Sequence, residues 1–120
     1  MFPNKEVAMK YALLIYSKPG SHEALPEQEL EAAYAEYNAL SDDSRCVGEA
    51  RLQPIENATT VRVRDGETLT TDGPFAETKE VFGGFYLMDA ESVEEALELA
   101  ARIPAARIGG CVEVRPVVEY

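Results

Sequence analysis

The run Lys10-Tyr11-Ala12-Leu13-Leu14-Ile15-Tyr16 is almost continuous in apolar and aromatic residues and stops at Lys18-Pro19-Gly20. That pattern predicts a central strand covered on both faces. After a polar loop through Ser21-His22-Glu23, Pro26 marks a helix start, and Glu27 and Glu29 suit the positive end of a helix dipole. Leu30, Ala33, Tyr34, Tyr37 and Leu40 then recur at helical spacing, which predicts an amphipathic helix over 26–41. Cys46 to Leu52 is extended in pattern, and Thr59-Thr60-Val61-Arg62-Val63-Arg64 alternates valine with arginine. Asp65-Gly66 separates that run from Thr68-Leu69-Thr70-Thr71, the signature of a hairpin closed by a type I′ turn. Phe85-Tyr86-Leu87-Met88 reads as a further buried strand. Ser92 and Glu95 have capping-box spacing, and Val93, Ala96, Leu97, Ala100 and Ile103 form the apolar stripe of a second helix that Pro104 ends. Gly109-Gly110 introduces a last strand over 111–118 with one polar face.

The predicted order is strand, helix, strand, hairpin, strand, helix, strand. Two βαβ halves around a hairpin give an α+β, ferredoxin-like domain, with two helices on one face of an antiparallel-rich sheet. Two helices leave the second sheet face without cover, and a second copy of the chain is the simplest cover, so a homodimer is expected. The patterned segments occupy 9–120 as one domain. Met1 to Ala8 has no continuous apolar run, so no secretory leader is read there and these residues are expected to be a loose extension.

Charge narrows the partners. Eleven basic residues stand against twenty-two acidic ones, a net charge of −11. Such a field repels phosphate backbones and anionic lipid, and the basic residues form no stripe, so neither nucleic acid nor membrane is expected as a partner. No stretch approaches the roughly 20 apolar residues of a membrane helix. Cys46 and Cys111 form no CxxC unit or zinc spacing and sit in strand-like surroundings. They read as reduced core residues of a cytoplasmic protein. With one histidine and two distant cysteines no metal site is expected, and no cofactor motif is present.

The most distinctive local feature is Asp72-Gly73-Pro74-Phe75-Ala76-Glu77-Thr78-Lys79-Glu80, followed by Gly83-Gly84. Pro74 fixes its own φ and restricts Gly73 to extended backbone, so Asp72 is expected at a rigid corner. Phe75 is expected to anchor the loop on the core. This loop, with Met9 to Tyr16, Thr59-Thr60-Val61-Arg62, Gly83-Gly84-Phe85-Tyr86 and Val112 to Pro116, resembles the DGPF-motif branch of the YCII-related family. The resemblance implies a ferredoxin-like fold of the dimeric α/β-barrel type with a cleft. Some relatives resemble accessory modules beside alternative sigma factors, which raises a regulator protein as a partner by analogy alone. The better-known branch resembles a dehydrochlorinase-type enzyme with a His at the first helix and an Asp near the end of the second. Here the first helix has no His and the second ends Arg102-Ile103-Pro104-Ala105, so neither residue carries over.

Three readings of function follow. The leading one is a small-molecule-binding dimer with its cleft beside the loop, contacted by Tyr16, Asp72, Phe75, Glu77 and Lys79. The second is a lyase or hydrolase acting on a small polar or aromatic substrate, with Asp72 as base assisted by His22 or Lys79. It requires Asp72 in an apolar pocket, because desolvation is what makes a carboxylate an effective base near neutrality. Arg62 and Arg64 could clamp an anionic ligand. The bland alternatives are an Asx-turn role for Asp72, a solvated loop position for His22, and charge balance for Arg62 and Arg64. The third reading is an interaction module for a regulator such as a sigma factor.

Overall fold

The computed structural model describes residues 9–76 and 78–119. Its strands and helices are β1 (Met9–Ser17), α1 (Glu27–Ser41), β2 (Cys46–Arg51), β3 (Thr59–Arg64), β4 (Glu67–Asp72), β5 (Val81–Ala90), α2 (Val93–Ala101) and β6 (Cys111–Pro116). The expectation for residues 1–8 lies outside the described residues.

Strands β2, β5, β1 and β6 form a four-stranded sheet in that order. Each pairing is antiparallel, with β1 between β5 and β6 and with β2 at the far edge against β5. The predicted ferredoxin-like α+β architecture is therefore present: β1-α1-β2 and β5-α2-β6 are split βαβ units, each with a foreign strand inserted between its own two. β3 and β4 form a separate two-stranded sheet. Its turn residues Asp65 and Gly66 have φ of 53° and 80°, the left-handed pair that a type I′ turn requires.

Strand burial alternates. Tyr11, Leu13 and Ile15 of β1 and Tyr86, Met88 and Ala90 of β5 pack with Leu40 of α1 and with Ala96, Leu99 and Ala100 of α2. Ile103 and Ala105, beyond α2, close the same core. Both helices thus cover one sheet face, as the period-two pattern requires. On the other face Ala12, Leu14 and Leu87 are only half-buried, and Phe82 is 39% exposed. The continuous apolar character of β1 is consistent with two apolar faces, one of which the described residues leave open.

Several local expectations are corrected. Gly83 and Gly84 lie inside β5 and not at the end of a loop. A Cβ on Gly84 would stand 2.6 Å from the Ala50 carbonyl oxygen of β2, so only glycine lets the two backbones approach. Gly73 has φ of 96° instead of extended backbone, and its N–H donates to the Ala58 carbonyl. Phe75 is 78% exposed and anchors nothing. Val61 and Val63 are 59% and 69% exposed, because the hairpin stands off the main sheet. Cys46 packs partly against the core, but Cys111 is exposed. At α2, Ser92 Oγ accepts from the Glu95 N–H at 3.1 Å, while the Glu95 carboxylate reaches back to the N–H of Glu91, one residue earlier than a capping box places it.

Candidate functional site

Between α1 and the sheet edge formed by β2 and β5 lies a cavity of about 540 Å³. Volumes of this order suit small-molecule sites. Its walls are assembled from distant parts of the chain: His22 and Glu23 from the loop before α1, Tyr34, Tyr37, Asn38 and Ser41 from α1, Glu49 and Arg51 from β2, and Tyr86 from β5. The helical spacing of Tyr34, Tyr37 and Ser41 turns all three toward one side. Glu49 and Tyr86 are register partners on adjacent strands, so both reach the helix-covered face.

A hydrogen-bond network fixes these side chains. His22 Nε2 and the Tyr37 hydroxyl lie 2.8 Å apart, and their rings are 5.7 Å centre to centre. The Tyr86 hydroxyl donates to the Tyr37 carbonyl at 2.8 Å, tying β5 to α1. Ser41 Oγ donates to Glu49 Oε1 at 2.6 Å and also contacts the Tyr37 carbonyl at 3.2 Å. The Arg51 guanidinium lies 5.4 Å from the centre of the Tyr34 ring, in cation–π range. Among the described residues no buried side-chain nitrogen or oxygen is left without a partner.

The electrostatics follow from this burial. Desolvation lowers the His22 pKa; Arg51 acts in the same sense and Glu23 against it. Burial likewise raises the Tyr37 pKa and pushes Tyr86 up to about 12. At neutral pH the site holds a neutral imidazole facing a protonated phenol. Such a pair can pass a proton to or from a bound molecule. Beyond the C-terminal end of α1, Arg45 donates through Nε and Nη2 to the two carboxylate oxygens of Asp43, at 2.9 and 2.8 Å. That fork holds the Asp43 carboxyl well below the usual range and braces the turn between α1 and β2.

Of the candidate site residues read from the sequence, His22 alone among the described ones lines the cavity, where it is joined by Gly83-Gly84-Phe85-Tyr86 of the resemblance. Asp72 is exposed on β4 opposite Thr59, and the apolar surroundings that base chemistry would need are not there. Phe75 and Lys79 are exposed as well, and neither lines the cavity. Tyr16 lies on the sheet face away from the core, its ring 5.6 Å from that of Phe82. Glu77 falls outside the described residues. Tyr37, Glu49 and Arg51 were not singled out. Tyr37 carried a signal as an aromatic on the helix stripe, whereas Glu49 and Arg51 had none, because β2 is short and mostly exposed. Among the described residues no group of three or more His, Cys, Asp or Glu side chains is arranged to hold a metal ion. No helix among them is long and apolar enough to cross a membrane.

The model of the YCII-related domain matches residues 9–120. The chain is also 39% identical over 117 residues to an uncharacterised protein of Rhizobium meliloti (strain 1021), a match covering 93% of this chain and 94% of that one.

Proposed function

The chain belongs to the YCII-related family, and from that premise we propose that it binds a small molecule in the cavity beneath α1. Within the family we assign it to the DGPF-motif branch on the strength of Asp72-Gly73-Pro74-Phe75 and the residues that follow. One observation carries the binding reading: a neutral imidazole, three phenols, two carboxylates and a guanidinium converge on one space of about 540 Å³. A few polar groups set in aromatic walls are what orients a small ligand. The described residues of the DGPF loop, 72–76 and 78–80, supply none of the cavity's lining.

Ligand-observed NMR against a panel of small metabolites tests this reading. Asn38 is an exposed α1 residue at the rim, so Asn38→Trp obstructs the mouth without touching the core. Compounds that bind the natural chain are expected to lose their signal with Asn38→Trp. Hits that survive the substitution unchanged would place binding elsewhere and overturn the proposal.

The contact between His22 Nε2 and Tyr37 favours a second reading, in which the same site transfers a proton on its ligand. That reading moves the acid–base role from Asp72 to His22 and Tyr37.

A further inference from the structure

The charges around the cavity restrict what enters it. Glu23, Glu49 and Arg51 are exposed residues of the lining and stand at its mouth, Arg51 being the one Lys or Arg among the described lining residues. His22 adds no charge at neutral pH, so two carboxylates face one guanidinium. Arg51 is already engaged over the Tyr34 ring. Glu49 uses only Oε1 to accept from Ser41; Oε2 has no partner among the described residues. The chain as a whole carries −11, so the long-range field enriches cations and depletes anions at this mouth.

The walls add a second restriction. The Tyr86 hydroxyl is committed to the Tyr37 carbonyl, and the Tyr37 hydroxyl to His22. The half-buried Tyr34 and Tyr37 offer a ligand ring surface, with the negative quadrupole face that attracts flat rings and ammonium groups alike, and the buried Tyr86 closes the floor. Resting on the binding reading above, we propose that the ligand is a small aromatic amine, its ring among Tyr34, Tyr37 and Tyr86 and its protonated nitrogen on Glu49. Carboxylates and phosphate esters of the same size are excluded by the pair Glu23 and Glu49.

Four compounds with one ring and different charges separate these possibilities: tryptamine (cation), tryptophan (zwitterion), indole (neutral) and indoleacetate (anion). Titration of the full chain, followed by heteronuclear NMR, gives an affinity for each and maps the shifted residues. Tryptamine is expected to bind tightest and indoleacetate weakest. Glu49→Gln, which keeps an acceptor for Ser41, should weaken tryptamine about tenfold and leave indole unchanged. Equal or tighter binding of indoleacetate overturns the proposal, as does binding of none of the four or tryptamine affinity indifferent to Glu49→Gln. Loss of the cavity and loss of the amine preference read out separately. Shifts that map to the cavity and vanish with Asn38→Trp, but show no preference for the amine, defeat the charge argument alone. Shifts that ignore Asn38→Trp defeat the cavity itself. A dispersed spectrum for each variant shows that it is folded.

Discussion

His22 and Tyr37 suit one another because burial acts on them in opposite chemical senses toward the same result, an uncharged pair 2.8 Å apart. The folded chain holds the His22 proton less tightly than the unfolded chain, whose imidazole titrates near the ordinary 6.5. Acid therefore favours the unfolded chain. The stabilisation from His22 is fully present above that value and is lost as pH falls through the lower, folded one. Asp43 adds a second window: its depressed carboxyl contributes stability above the ordinary 3.8, lost as pH falls further. Urea midpoints across a pH series should show two successive losses. His22→Gln should remove the upper loss and spare the lower, and NMR titration of the imidazole should give a pKa below 6.5. A single acid limb, unchanged by His22→Gln, would mean that the imidazole is not desolvated in the folded chain.

Two adjacent glycines in β5 make opposite demands. A Cβ on Gly84 meets the Ala50 carbonyl at 2.6 Å, whereas one on Gly83 meets nothing within 4 Å. Gly84→Ala must push β2 away from β5 and should destabilise by about 1–3 kcal/mol, as overpacking does. Gly83→Ala is expected to be neutral to within about 0.5 kcal/mol, or slightly stabilising. Chemical denaturation of the two variants checks this directly, and equal losses would contradict the register of β2 on β5. The same glycines show where the sequence was hard to read. Helix α2, the hairpin and the apolar half of each strand were legible, since capping residues, Asp65-Gly66 and hydrophobic period are all local signals. The start of β5 was not, because a Gly-Gly pair reads as a loop unless the neighbouring backbone is known. The cavity was illegible for a related reason. Its residues come from β1, the loop before α1, α1, β2 and β5, and Glu49 and Arg51 acquire a role only when β2 lands at the sheet edge beneath α1. The DGPF loop stood out as a motif, yet distinctiveness along the chain carried no information about proximity to that cavity.

The molecule as a whole is thin, 52 × 46 × 19 Å, and its radius of gyration of 17.0 Å exceeds the roughly 14 Å of a compact chain this long. Two layers account for the short dimension, and among the described residues no third layer lies over Ala12, Leu14, Phe82 and Leu87. We propose that a second copy covers this face, burying on the order of 800 Å² per partner. Two chains of −11 repel at a distance, and salt screens that repulsion while leaving apolar contact intact. Sedimentation equilibrium should find a dimer at micromolar concentration that tightens as salt rises, and Leu14→Lys should release monomers. A natural chain that stays monomeric throughout would leave the open face without its proposed partner. The position of β1 has a consequence for the newly made chain. This strand is synthesised first, yet both of its neighbours, β5 and β6, come from the last third of the sequence. At about 5–20 residues per second, the ribosome needs roughly 3–13 s to go from the end of β1 to the start of β5. Throughout that interval the apolar run from Tyr11 to Tyr16 lacks both of its native partner strands, the state in which an exposed apolar segment is most open to wrong pairing.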